Sequence, residues 1–178
     1  SMTNHPELPR IAVLNAGLSP TGLTQILTRF AVDRIQYHGG SGEHLDVQSD
    51  RVLPYGEDGS DGAAHIRDGL ERAEGVIICF PVYNSNMNAT LKSVIEHCGP
   101  AMTGKVVGIM ATAGGRFGYM SVLSVVQSLM FDLRAWIVPR HVYAVTEDFA
   151  DDEILGEDIR RRVDQLAHDT TDMARRMR

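Results

Sequence analysis

The chain has 178 residues, the size of one domain with room for a sizeable core. Its 43% hydrophobic and 22% charged residues are those of an ordinary globular protein, which excludes a fibrous or low-complexity chain. A net charge of -6 argues against a general nucleic-acid surface, and no apolar run approaches the roughly 18 residues a membrane span needs.

Ser1 and Met2 read as a tag remnant, with residues 1–9 as a disordered lead, so one domain is expected over residues 10–178. No secretory signal opens the chain. Cys79 ends an apolar run and Cys98 sits on an apolar helix face, so both read as small core residues in a reducing, cytoplasmic compartment.

Strand and helix signals then alternate. Ile11 to Asn15 is a short apolar run bounded by turn residues and reads as a buried strand. Leu23, Ile26, Leu27 and Phe30 recur at helical spacing. A weaker strand is expected around Leu45 to Gln48, followed by a polar stretch from Pro54 to Asp61. Asp61 is placed to cap a helix whose inner stripe is Ile66, Leu70 and Ala73. Val76 to Phe80 is apolar throughout, as in a strand covered on both faces. Leu91, Val94, Ile95 and Cys98 mark a third helix, and Val106 to Met110 a fourth strand. A helix is expected from Tyr119 to Leu133, a fifth strand from Val142 to Val145, and a terminal helix with Ile159, Val163, Leu166 and Met173 inward. On that helix Arg160, Arg161 and Arg162 are interleaved with acids and read as a solvated face.

This alternation predicts an α/β domain with a five-stranded parallel sheet and right-handed crossovers. The expected strand order is 2-1-3-4-5, which places a switch point between the first and third strands. The loops after strands one, three and four then meet at one edge.

Those loops have the most unusual composition in the chain. In the first, Ser19, Thr21 and Thr24 offer hydroxyls beside a helix N-terminus, and Gly17 and Gly22 let backbone come close to an anion. The set suits a phosphate monoester held without metal, or simply a helix N-cap by Ser19 or Thr21. It is neither a Walker loop nor a dinucleotide fingerprint. In the second, Pro81, Val82, Tyr83 and Asn84 place an aromatic beside amides, as a planar heterocycle with polar edges requires. Asn88 opens the next helix. In the third, Thr112, Ala113, Gly114 and Gly115 leave backbone bare where a ring can lie flat. Arg116 follows, either as an exposed turn residue or to meet a phosphate of a dinucleotide donor.

Together the hydroxyl-rich loop from Gly17 to Thr24, the Pro81-Val82-Tyr83-Asn84 segment with Leu91-Lys92, and the Gly114-Gly115 turn resemble the NADPH-dependent FMN reductases. The segments Leu133-Arg134-Ala135, Val138-Pro139 and Val145 to Phe149 look like the branch associated with luciferase-like monooxygenases. The resemblance implies a flavodoxin-like three-layer sandwich, non-covalent FMN, and NADPH or NADH as donor. It assigns the phosphate to Ser19, Thr21 and Thr24, the ring and ribityl chain to Pro81, Val82, Tyr83 and Asn84, and the turn beside the ring to Ala113, Gly114 and Gly115. It also implies a homodimer or homotetramer and a possible partner monooxygenase. Leu18 and Gly22 stand where many members carry hydroxyl residues, and the third loop reads Ala-Gly-Gly-Arg rather than Thr-Gly-Gly.

The implied reaction is hydride transfer from nicotinamide to flavin, which obliges no protein acid or base. No catalytic triad, paired-carboxylate arrangement or metal spacing is read among the side chains, and His65 and His97 read as boundary residues. Three other roles stay open: a reductase of quinones or azo compounds with FMN kept bound, a non-enzymatic electron carrier, and a flavin-free binding domain. Apolar residues on two sides of the expected 119–133 helix, Met120, Leu123 and Phe131 lying off the main stripe, predict a self-association surface.

Overall fold

The computed structural model describes residues 7–57 and 62–178. Its elements, in order, are β1 (Arg10–Asn15), α1 (Leu23–Tyr37), β2 (Ser41–Asp46), α2 (Gly62–Arg72), β3 (Gly75–Tyr83), β4 (Asn86–Met87), α3 (Ala89–Cys98), β5 (Val106–Ala113), α4 (Leu123–Gln127), β6 (Trp136–Ile137), β7 (Val142–Val145), β8 (Phe149–Ala150), β9 (Glu153–Ile154) and α5 (Glu157–Arg176). Asp61, the expected cap of α2, lies outside the described residues.

Parallel pairing runs β2-β1-β3-β5, and the fifth position is split. β6 pairs with the start of β5 (Trp136 beside Val106), and β7 pairs with its end (Val142 beside Met110). The expected order 2-1-3-4-5 therefore holds, with the last strand broken around Pro139 and Arg140. Proline supplies no N–H to a ladder, and Arg140 takes the left-handed conformation at φ 63°.

Strand residues alternate between two cores, which is why β1 and β3 read as unbroken apolar runs. Ile11, Val13, Ile77 and Cys79 face α1 and α5. Leu14, Ile78, Phe80 and Ile109 face α2, α3 and α4. At about 25 cal/mol per Å² of apolar surface, burial on both faces is the main force holding the three layers together.

Four expectations are corrected. β2 starts at Ser41 and ends at Asp46, ahead of the expected Leu45 to Gln48, because a polar strand at the sheet edge carries little periodic signal. The segment from Pro81 to Tyr83 is strand rather than loop. The helix expected from Tyr119 to Leu133 is a 3-10 segment over Arg116–Val122, a short α4, and a π turn over Ser128–Asp132. Its start is displaced because the Gly118 N–H donates across to the Tyr143 hydroxyl at 3.0 Å rather than along a helix. Met173 is 38% exposed rather than inward, and the inner stripe of α5 continues instead through Thr170, Thr171 and Ala174.

No helix among the described residues is long and apolar enough to cross a membrane. Cys79 and Cys98 are free and buried. Burial pushes both thiols up, which keeps them protonated and unreactive at neutral pH.

Candidate functional site

β1 stays paired with β3 as far as Asn15 beside Cys79 and then turns away. β3 runs on, paired with β5 through Pro81 beside Thr112. Pro81 lies beyond the end of β1, so its missing N–H leaves no gap in a β1 ladder. The opening left between the two strands is the switch point, where open α/β sheets bind ligands.

A crevice of about 210 Å³ occupies this point. The first loop lines it with Gly17, Leu18, Ser19, Gly22, Leu23 and Thr24. β3 lines it with Pro81, Val82 and Tyr83, the end of β5 with Thr112, Ala113 and Gly114, and the chain after β7 with Thr146. Four segments remote in sequence thus converge. Four expected site residues lie outside the lining: Thr21, Asn84, Gly115 and Arg116.

Local bonding shapes the first loop. Asn15 Oδ1 accepts from the Gly17 N–H at 2.9 Å, which turns the chain sharply off β1. Asn88 Nδ2 donates to the Ala16 carbonyl at 2.8 Å, while Asn88 Oδ1 caps α3 by accepting from the Leu91 N–H. The N-cap of α1 is Gly22, with no side-chain cap bond. Neither Ser19 nor Thr21 performs the capping that was the simpler reading of this loop. Their hydroxyls lie 3.5 Å from each other, so Thr21 stands next to the lining although outside it. Thr24 is only 3% exposed. Asn15 Nδ2 is buried with no hydrogen-bond partner, a donor in need of an acceptor at the foot of the loop.

Asn84 and Ser85 have φ of 53° and 56° and form the two-residue turn of the β3–β4 hairpin, in the pattern of type I′ turns. That accounts for Asn84 outside the crevice. Tyr83 precedes the turn and stays 61% exposed at the rim.

The Tyr143 hydroxyl holds the third loop. It donates to the Gly115 carbonyl and accepts from the Gly118 N–H. Gly114 and Gly115 have nothing within 4 Å of where a Cβ would stand, so the turn presents bare backbone. Arg116 points away from the crevice and meets Glu147 at 3.4 Å, both well exposed.

Among the described residues no charged side chain lines the crevice. An anion there is met by neutral hydroxyls, backbone N–H groups and the positive end of α1. The arrangement suits a phosphate at one end, a flat ring against β3 and the glycine turn, and open access from solvent.

The family model for NADPH-dependent FMN reductase matches residues 9–150, well over half of the chain. The chain belongs to this family. It is therefore an oxidoreductase of the flavin and nicotinamide nucleotides. Over 165 residues it is 24% identical to an NADPH azoreductase from a Bacillus species, covering 90% of this chain and 87% of that protein. A second relative, the NAD(P)H-dependent FAD/FMN reductase of Geobacillus thermodenitrificans, is 28% identical over 103 residues, 57% of this chain and 56% of that one. Among solved structures, the flavoenzyme NAD(P)H:(acceptor) oxidoreductase FerB of Paracoccus denitrificans superposes with a TM-score of 0.76 at 15% identity, covering 95% and 98% of the two chains. That last likeness speaks to the flavodoxin-like fold alone.

Sequence reasoning passed over three residues that shape the crevice and its rim. Asn15 looked like the end of a strand, although an amide next to Ala-Gly is a turn signal. Thr146 and Tyr143 lie after and within β7, and their role depends on where the split fifth strand sits, which no local pattern reveals.

Proposed function

We propose that the crevice holds FMN and that the chain reduces it with NAD(P)H as donor. The observation that carries this reading is the uncapped start of α1, whose hydroxyls and amides are left over for a ligand. The remaining residues fit the group. Asn15 Nδ2 lacks an acceptor. A Cβ on Gly17 would fall 2.2 Å from Thr24 Oγ1, so that position admits only bare backbone.

In this reading Ser19, Thr21 and Thr24 take the phosphate with the amides around Gly22. Pro81, Val82 and Tyr83 form the wall for the ring, with Asn84 setting the hairpin turn behind them. Thr112, Ala113, Gly114 and Gly115 lie along the ring edge, and their N–H groups stabilise negative charge arriving there. FMN, once bound, supplies the hydride-accepting chemistry that these side chains lack. The protein's part is to hold the phosphate, keep one ring face open to the nicotinamide, and bring the two within near-attack distance. Residues 10–178 act as one domain in this task.

Leu18 and Gly22 withhold two donors from the phosphate, and no cation balances its charge. FMN held this way exchanges with solvent, which favours a chain that delivers reduced FMN to a partner monooxygenase. The likeness to an NADPH azoreductase over 90% of the chain supports a second reading, in which FMN stays bound and an azo compound or quinone is reduced.

Phe117, Met120 and Leu123 are exposed beside the hairpin tip at Tyr83, Phe117 fully so at 106%. Apolar side chains gathered at the mouth of a site call for cover. In our reading a second copy covers them, as a homodimer or as half of a homotetramer.

Fluorescence titration of FMN with purified protein, followed by NADPH oxidation at 340 nm, tests the assignment. Micromolar FMN uptake with NADPH consumption is expected. FMN uptake without NADPH or NADH consumption returns the chain to a passive electron carrier, and no uptake removes the flavin reading. Gel filtration after turnover separates the two acceptor readings by whether FMN leaves with the small molecules.

A further inference from the structure

Asn15 ends β1 fully buried, and its amide is satisfied on one side alone. Oδ1 accepts from the Gly17 N–H at 2.9 Å. Only the oxygen of the amide can meet an N–H, so this bond fixes which way the group is turned and leaves Nδ2 on the other side. Nδ2 is buried and has no hydrogen-bond partner. A buried donor left unmet is costly, which marks a place where an acceptor belongs.

Acceptors on the neighbouring strands are already committed. Asp46 stands beside Asn15 in the β1–β2 register, and in-register side chains of parallel strands share a face. Its Oδ2 accepts from Gln25 Nε2, and its Oδ1 accepts from the Gln48 N–H at 2.9 Å. On the other side Asn15 is paired with Cys79, whose carbonyl accepts from the Ala16 N–H at 2.9 Å.

Thr24 lies across Gly17 from the amide. A Cβ on Gly17 would stand 2.2 Å from Thr24 Oγ1 and 3.2 Å from Asn15 Oδ1, so hydroxyl and amide flank the same bare Cα. One turn further along α1, Thr28 donates its hydroxyl to the Thr24 and Gln25 carbonyls at 2.8 and 3.2 Å. Among the described residues the Thr24 hydroxyl makes no such bond. It lines the crevice with one proton and two lone pairs to place.

A phosphate dianion only accepts, so the Thr24 proton belongs on the phosphate and a lone pair of Oγ1 is left for a donor. Asn15 Nδ2 can only donate. We propose that Asn15 is a positioning residue that makes the crevice select a phosphorylated flavin: Nδ2 donates to Thr24 Oγ1, which commits the Thr24 proton to the phosphate of FMN. The proposal rests on the FMN reading of the crevice. The bond closes as Thr24 turns its hydroxyl to the phosphate, and the bare backbone at Gly17 leaves it room. Successive hydrogen bonds polarise one another, so the relay strengthens a phosphate contact in a lining without a cation. It also offsets the hydroxyls that Leu18 and Gly22 withhold.

Fluorescence titration of FMN and of riboflavin, which lacks the phosphate, tests this in the unaltered chain, Asn15→Ser, Thr24→Val and the double variant. Serine keeps a short oxygen that can accept from the N–H two residues on, and drops the far donor. Asn15→Ser is expected to weaken FMN binding about tenfold and to leave riboflavin binding unmoved. It is expected to add nothing once Thr24 is valine, because the two side chains act as a unit. Asn15→Asp keeps the oxygen facing Gly17 and puts an acceptor where the donor was, so its loss of FMN affinity is expected to be at least as large, again with riboflavin unmoved. Equal losses for the two flavins reduce Asn15 to a structural role and overturn the proposal. An effect of Asn15→Ser that survives in full beside Thr24→Val overturns the relay, as does equal affinity of the unaltered chain for both flavins. The side-chain amide signals of Asn15 in ¹⁵N NMR give a reading that needs no variant to fold. They are expected to move on addition of FMN and to hold with riboflavin; movement with both or with neither overturns the proposal. Failure of the FMN reading itself shows separately, as uptake of neither flavin by the unaltered chain.

Discussion

Gly17 and Thr24 are in contact across the mouth of the first loop: a Cβ built on Gly17 would stand 2.2 Å from Thr24 Oγ1 and 3.2 Å from Asn15 Oδ1. Thr24 cannot retreat, because α1 packs it to 3% exposure. Gly17→Ala therefore forces either the Thr24 rotamer or the turn held by Asn15 to shift. Over-packing of this kind costs about 1–3 kcal/mol. The expected outcome is a weakening of FMN binding by about tenfold or more with a modest drop in melting temperature, read by flavin fluorescence titration and thermal unfolding. Unchanged FMN affinity would show that the phosphate does not sit against this loop.

Tyr143 makes two hydrogen bonds to the glycine turn, to the Gly115 carbonyl and from the Gly118 N–H. Tyr143→Phe removes both and keeps the ring that packs against Tyr119. Each neutral bond contributes about 0.5–1.5 kcal/mol, so global stability should fall only slightly. The turn beside the candidate ring edge should loosen. Faster hydrogen exchange at Gly118, together with a lower rate of NADPH oxidation at saturating FMN, is the expected pair of results.

This tyrosine also marks how far the sequence could be read. The strand runs at Ile11, Val76 and Val106 announced a sheet because both of their faces are apolar. Three loops of unusual composition at adjacent strand ends then placed Ser19, Tyr83 and Gly114 at one edge, and the structure brings all three to one crevice. What stayed hidden depends on tertiary partners. The polar strand β2 has too few apolar residues for a period. The helix expected from Tyr119 to Leu133 starts instead as a 3-10 segment with non-helical backbone at Gly118, whose N–H is bonded to a residue 25 positions away. Arg140 takes its left-handed backbone where the fifth strand splits, a break no local pattern announces.

Acid should weaken the seam between α1 and α5. Asp164 is partly buried, which pushes its carboxyl up. Hydrogen bonds from Arg34 at 2.7 Å and His38 at 2.8 Å outweigh this and leave its pKa below the usual 3.8. A carboxyl depressed in the folded state adds stability above its unfolded value, and the stability is lost as pH falls through the folded value. The affected window lies below about pH 4. Glu74, held low by the Arg178 guanidinium, titrates in the same window. Urea midpoints between pH 5 and 3 should fall less steeply in Asp164→Asn than in the unaltered chain, with Glu74 supplying part of the remaining slope.

The exposed apolar residues beside the crevice predict an effect on assembly rather than folding. The stripe of Val122, Val125, Leu129 and Leu133 is buried in the core, whereas Met120, Leu123 and Phe131 face outward from the same segment. Charge placed on the outer side meets no buried partner, so Met120→Glu and Leu123→Lys should leave the stability of the isolated fold within about 0.5 kcal/mol of its original value. In an assembled chain the same changes bury an unpaired charge, which costs several kcal/mol. Sedimentation equilibrium should show a single oligomer for the unaltered chain and a shift to monomer in either variant, with circular dichroism unchanged. A chain that is already monomeric at tens of micromolar would leave Phe117, Met120 and Leu123 to another partner, and self-association would have to be abandoned.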